Sequence, residues 1–311
     1  EDSFMRDRNY EHKIKAPLGL AYEQGNQELI DILLNHKNIL FGSNVLSESC
    51  VQNITIPSHI TVIGMRAFES SSLRKITIPQ SVTSIEDFAF KGCSNLESIE
   101  IPNTVNLIGV GVFENCKSLK KVILPSSITA IKKRTFARCK SLANVEIPSS
   151  VTSLGDEVFA GCPFVKYTIP STITSIGNEC FRDCSELSEI EILSSLTVIG
   201  RSMFRNCSSL NKISLPSMIT SINDGAFDSC KALNSFVIPE SVTNLGSSVF
   251  GCCSSLTNMT IPKSVTSIEN LAFYKCTSLK RVEILGQITI LKSGLFAQCT
   301  KLEKVTIPSS V

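Results

Sequence analysis

"SVTSIEDFAFKGCSNLESIEIPN", residues 81–103, holds two different apolar patterns in one short stretch. Ser98-Ile99-Glu100-Ile101 alternates polar with apolar side chains, which is the period of a half-buried strand. Pro102 has no N–H to give a ladder and so closes that strand. Val82, Ile85, Phe90, Cys93 and Leu96 follow no such alternation. About seven apolar side chains cannot enclose a core of their own, so the stretch makes physical sense only if copies of it stack.

The copies are present. Phe68, Phe90, Phe113, Phe136, Phe159, Phe181, Phe204, Phe227, Phe250, Phe273 and Phe296 recur every 22 or 23 residues, which defines eleven coils. Three residues after all but the first of these comes a cysteine: Cys93, Cys116, Cys139, Cys162, Cys184, Cys207, Cys230, Cys253, Cys276 and Cys299. An alternating pair such as Ile99/Ile101 or Val122/Leu124 follows, then a proline in most coils. A fixed period of this length marks a solenoid in which neighbouring coils share one continuous core.

Composition sets the outer limits. The chain has 311 residues, 42% of them hydrophobic, and Lys+Arg 30 against Asp+Glu 28 leaves a net charge of +2. That is ample for a core, and no run of one sign points to nucleic acid. No stretch of 18 residues is uninterruptedly apolar, so no membrane span is expected. His12, His36 and His59 all precede residue 60, which leaves no Ser-His or Cys-His pair for the array. No phosphate loop, zinc helix or nucleophile elbow occurs, and neither an enzyme nor a cofactor is expected.

The units "CSNLESIEIPNTVNLIGVGVF" (93–113) and "CSSLTNMTIPKSVTSIENLAF" (253–273) resemble the BspA-like class of leucine-rich repeats. The resemblance covers residues 50–311. It implies an α/β repeat solenoid, a right-handed superhelix with a parallel β-sheet on its concave face. It also implies a surface protein adhering to host matrix proteins or other cells, with a protein or glycan as partner. Leu193 and Leu285 stand where proline is usual, Val165 stands where leucine is usual, and slight kinks are expected there.

Residues 15–37, "KAPLGLAYEQGNQELIDILLNHK", carry a helical period instead. Ala16-Pro17-Leu18, Ala21, Gly25 and the run Glu28 to Leu34 resemble an ankyrin repeat. The expected organisation is therefore an ankyrin-like segment over 1–49, with "NILFGSNVLSESC" as the junction, and a repeat domain over 50–311. "VTIPSSV" stops where another coil would begin, so a C-terminal capping repeat is expected to be missing. The pairing of ankyrin with leucine-rich units leaves an alternative open, an intracellular scaffold for protein assembly, and the free thiols suit a reducing cytoplasm.

The ten periodic cysteines form a ladder along one edge rather than metal-binding pairs, and are expected to be buried packing thiols. Cys50, Cys180 and Cys252 lie outside the rule, and Cys252 is expected to be the exposed, reactive one. Any ligand must meet what the period leaves free, the side chains that alternate outward along each strand. The candidate contacts are Ser98, Glu100, Lys121, Ile123, Glu146, Lys166, Glu191, Lys212 and Val237. Ile123 and Val237 are the anchors among them, because folding has no evident need of an outward apolar side chain. Asn53, Asn206 and Asn258 begin N-x-[ST] triplets and are glycosylation candidates if the chain is secreted.

Overall fold

The computed structural model describes residues 43–311, together with the isolated positions Ala21, Gln24, Asn26, Glu28 and Ile30. The ankyrin-like segment otherwise lies outside the described residues. The chain divides into two compact units, Glu1–Val151 and Thr152–Val311; residues 43–151 of the first and the whole of the second each form a parallel β-solenoid.

In the first unit the alternating stretches form the strands Asn53–Thr55, Lys75–Thr77, Ser98–Glu100 and Lys121–Ile123. Their middle residues, Ile54, Ile76, Ile99 and Val122, are buried while the flanking ones are exposed. Pairing is parallel and in register, with Ser98 opposite Lys121 and Glu100 opposite Ile123. In the second unit the equivalent strands are Lys166–Ile169, Glu189–Ile192, Lys212–Ser214, Asn258–Ile261, Arg281–Ile284 and Lys304–Thr306.

Each unit also has a second set of two-residue strands, such as Ser84–Ile85 and Leu107–Ile108 in the first and Ser221–Ile222 and Asn244–Leu245 in the second. These come from the "VTSI" segments.

The expected α/β class is corrected on the return path: no helix is formed within 43–311. The reason is local. The residues two before and two after each phenylalanine take positive φ, as at Arg66 (54°) and Ser70 (57°) around Phe68, or Ser202 (50°) and Asn206 (61°) around Phe204. A left-handed residue every fourth position breaks a helix but sends alternate N–H groups the same way. The N–H groups of Phe88, Phe90 and Gly92 accordingly donate to the carbonyls of Val110, Val112 and Glu114 in the next coil at 2.7–3.0 Å. The same turn brackets Leu46, between Asn44 (63°) and Glu48 (56°), and its N–H donates to Ala67. The junction stretch thus already has coil geometry.

Inside, the phenylalanines form a stack. Phe68, Phe90, Phe113 and Phe136 have centroids 5.2–5.7 Å apart and interplanar angles of 6–9°. Phe181 to Phe296 continue likewise in the second unit, at 5.5–5.7 Å. The spacing suits offset ring stacking.

The cysteine beside each ring is more than filler. Its thiol donates to the backbone carbonyl of the phenylalanine in the preceding coil, as from Cys116 to Phe90 (3.1 Å) and from Cys230 to Phe204 (3.2 Å). An Asp or Asn after the second strand caps the next coil's turn. Asp87 Oδ1 accepts from Val110 N–H at 2.7 Å, and Asp224 Oδ1 from Ser247 N–H at 2.7 Å.

The coils expected to kink behave differently. With leucine in place of proline, the N–H of Leu193 donates to Ile169 (3.1 Å) and that of Leu285 to Ile261 (2.9 Å), so the ladder gains a rung. Gly286 follows Leu285 so closely against the Val265 carbonyl that a Cβ would lie 2.2 Å from it. In the short coil, Phe164 takes the leucine's buried place, stacked on Tyr167 at 4.6 Å, and Val165 turns outward.

Candidate binding surface

Two rows of outward side chains cross each strand face, as strand alternation requires. In the first unit Ser98, Glu100, Lys121, Ile123 and Glu146 are all exposed; the first four are brought together by the register of two adjacent strands. In the second unit Lys166, Glu191 and Lys212 are exposed on three consecutive strands, and Val237 lies in the later coil over 235–238.

Charge in the second unit is arranged around Glu189, which stands between Lys166 and Lys212 in the register. Lys166 Nζ is 2.9 Å from its Oε2, and Lys212 Nζ donates to its Oε1. These hydrogen bonds, that from Lys212 foremost, hold the Glu189 carboxyl down to about 2. Lys212 is raised in return by the same contact. The triplet is a surface network, screened by salt and of modest worth to the fold. It fixes a pattern of positive, negative, positive at strand spacing.

The two expected anchors are exposed, Ile123 by 44% and Val237 by 87%. Both also lie where the sheet is interrupted, which the sequence does not signal. No strand forms at 144–147, beyond Lys121–Ile123, nor at 235–238, although both segments keep the alternating burial of their neighbours. Beside Ile123 this leaves an open cavity of about 710 Å³ lined by Lys120, Lys121, Val122, Leu124, Asn144 and Glu146, among others. Further outward apolar side chains, Val165, Leu193 and Met218, escaped sequence reading because they lie at coil corners, outside the strand alternation.

The thiols are placed mostly as expected. Cys93, Cys116, Cys139, Cys162, Cys184, Cys207, Cys230, Cys253 and Cys276 are buried, and Cys299 is half-buried. Burial pushes Cys93 up to about 12, with Ser71 opposing it, and drives Cys116, Cys207 and Cys230 well above the ordinary range. Such thiols are poor nucleophiles at neutral pH. One expectation is corrected: Cys252 is only half-exposed, within a left-handed turn, whereas Cys50 is the exposed thiol. Cys180 is buried beside Phe181.

Asn53 and Asn258 are exposed on strands of the same faces; Asn206 is exposed in a turn, its amide donating to Asp183 Oδ1 at 2.7 Å. Among the described residues no group of three or more His, Cys, Asp or Glu is placed to hold a metal ion, and no helix is long and apolar enough to cross a membrane.

Comparison with known proteins agrees with this geometry. The family described as BspA type leucine rich repeat region matches residues 22–139, 108–231 and 197–311. That match begins inside the segment read as ankyrin-like, and the ankyrin reading has no support from it. A leucine rich cell surface protein from Faecalibacterium prausnitzii A2-165 is similar in structure, with a TM-score of 0.60 and 27% identity over 85% of this chain and 81% of that one.

Two others share the fold. The pneumococcal vaccine antigen PcpA has a TM-score of 0.55 and 20% identity, covering 84% of this chain and 73% of its own. A leucine-rich repeat protein from Eubacterium ventriosum has 0.54 and 21%, covering 84% and 79%. No curated protein shows a significant match. The fold is typically a non-catalytic binding scaffold, and no enzymatic family is indicated. From the ring and thiol ladders of its coils to the match along its sequence, the chain belongs to the BspA-type leucine-rich repeat family.

Proposed function

We propose that this protein is a non-catalytic binding module that meets a protein or glycan partner through the exposed strand faces of its coils, in the manner of a cell-surface adhesin. The observation that carries the reading is the pair of outward rows with Ile123 and Val237 exposed in them, since the coil has no structural use for either side chain there. Similarity to a protein described as a leucine rich cell surface protein supports the surface placement. Within the rows, Ser98, Glu100, Lys121 and Glu146 surround Ile123 in the first unit. Lys166, Glu191 and Lys212 offer the charged contacts of the second. Asn53, Asn206 and Asn258 are candidate glycan acceptors.

Immobilised extracellular-matrix proteins and mucin glycans provide the test, probed with the chain and with Ile123→Lys and Val237→Lys variants of unchanged circular dichroism. Saturable binding to one ligand, lost in at least one variant, supports the reading. Binding unaffected by both variants, or absent throughout the panel, overturns it.

A second reading, an intracellular scaffold, draws on the thirteen free cysteines. Surface labelling of intact source cells separates the two: signal without permeabilisation removes the scaffold, and signal only after it removes the adhesin.

A further inference from the structure

We propose that a depression on the strand face of the second unit, centred on Arg281, binds an acidic sugar residue whose carboxylate is held by Arg281 and Lys304. This inference rests on reading the strand face as a binding surface, and it names the ligand class that one part of that face takes.

The first outward row changes character along the unit. Where Glu189 stands between Lys166 and Lys212, both lysines reach the carboxylate between them, and the charges are satisfied within the face. Further along, the same row reads Asn258, Arg281, Lys304. Arg281 thus has an amide opposite it on one side and a like charge on the other. Among the described residues neither Arg281 nor Lys304 enters an ion pair. Like charges opposite each other on neighbouring strands destabilise a sheet, so the fold gains nothing from this pair. An anion placed between them removes the cost.

The face is also shaped there. A depression of about 290 Å³ is walled by Asn258, Thr260, Arg281, Glu283, Lys304 and Thr306, all of them exposed. The planar guanidinium of Arg281 offers parallel N–H donors that fit a carboxylate bidentately. Lys304, one strand away at about 4.8 Å, adds a point charge to the same group.

The second row completes the specification. Thr260, Glu283 and Thr306 lie opposite one another in register, two residues along from the cations, which is about 6.6 Å. Two hydroxyls that donate or accept, with a carboxylate that accepts between them, suit the hydroxyls of a sugar. A pyranose acid carries its carboxylate on one side of the ring and hydroxyls on the other, so a single residue answers both rows. An acidic peptide side chain answers only the first. Two cations and one carboxylate leave the depression one net positive charge, which suits a monoanion, while Glu283 repels a chain of closely spaced sulfates. Asn258 must be bare, because a glycan on it would cover the wall it forms.

The test uses the whole chain, produced in bacteria so that Asn258 carries no glycan. The probes are the methyl glycosides of glucuronic acid and of N-acetylneuraminic acid, with methyl glucoside as the neutral control, and binding is read by saturation-transfer NMR and amide-shift titration. At low salt at least one acidic glycoside should bind with a dissociation constant on the order of 1 mM, the scale for so small a ligand. The neutral glucoside should bind at least about tenfold more weakly, and Arg281→Ala should lose at least about tenfold for the acidic one. Arg281→Lys keeps the charge without the fork and should recover only part of that loss. Glu283→Gln should weaken the sugar and strengthen binding to heparin. Each altered side chain is exposed, so circular dichroism should match the parent in every variant.

The proposal is overturned if neither acidic glycoside binds more tightly than the glucoside, or if Arg281→Ala binds as the parent does. It is equally overturned if acetyl-glutamate-amide, a carboxylate without the hydroxyls, binds as tightly as the acidic sugars, or if Asn258 of the protein from its source cells bears a glycan. Ile123 and Val237, through which the matrix and mucin panel is read, do not line the depression. A failure at Arg281 therefore leaves the broader binding surface standing, and a chain that holds its sugar at Arg281 but no ligand of the panel refutes the broader surface alone.

Discussion

Replacing Phe227 with alanine tests the account of what holds the coils together. Its ring is fully buried, with centroids 5.5 Å from Phe204, 5.6 Å from Phe250 and 4.9 Å from Phe236. Truncating a buried phenylalanine costs about 3–5 kcal/mol in transfer and cavity terms. Each lost ring pair adds about 0.5–1.5 kcal/mol, partly overlapping that cost, which puts the variant in the upper part of the range. Phe296 is the control: it is half-buried and stacks on Phe273 at 5.6 Å. Its truncation should cost about 2 kcal/mol, since less area leaves water and one ring pair is lost.

Urea unfolding followed by far-ultraviolet circular dichroism gives both values. An interior break in a repeat array can also split one transition into two, so the slope of each transition must be compared with that of the parent. If Phe227→Ala proves no more destabilising than Phe296→Ala and leaves a single transition of unchanged slope, the ring stack is not the element that couples coils.

Two further outcomes follow from the surface and the thiols. The carboxyl of Glu189, held down to about 2, should titrate below the ordinary glutamate range by carbon-detected NMR. Its contribution to stability is then complete above the unfolded glutamate value and is lost as pH falls from there through about 2; Lys212→Ala should return the titration toward the ordinary range, and an unchanged titration would refute the pairing. Thiol titration of the unfolded, unreduced chain should return all thirteen cysteines, while the native chain should react first at Cys50 and more slowly at Cys252 and Cys299; rapid native reaction of Cys116 or Cys230 would refute the buried ladder.

Much of the coil was legible because one side chain in it is large and periodic. Phe90, Cys93, Leu96, Ile99 and Ile101 could be assigned to the core from their spacing, and Ser98 and Glu100 to the surface by alternation. The second strand set was hidden: Leu107–Ile108 is too short for a period of two to show. The left-handed turns were hidden too, because Arg66, Phe88, Asn115, Ser202 and Leu271 share a backbone conformation but no side-chain chemistry.

The sheet breaks were the least legible part of the candidate site. Asn144-Val145-Glu146-Ile147 reads in sequence just as Ser98-Ile99-Glu100-Ile101 does, yet only the latter joins a ladder.

The hydrogen bond from a coil's thiol to the phenylalanine's backbone carbonyl in the preceding coil spans 25 or 26 residues, and the strand and turn ladders span 21 to 24. Every added coil therefore closes a loop of nearly the same length, at a chain-length-dependent cost of about 2.7 kcal/mol for 22 residues. Parallel sheets are ordinarily slow to form because their pairings join distant parts of the chain. Here the distance never grows. Once one pair of coils has closed, lengthening the array deepens its stability coil by coil without raising the barrier to the next step, and the family can vary its reach by duplication at little kinetic cost.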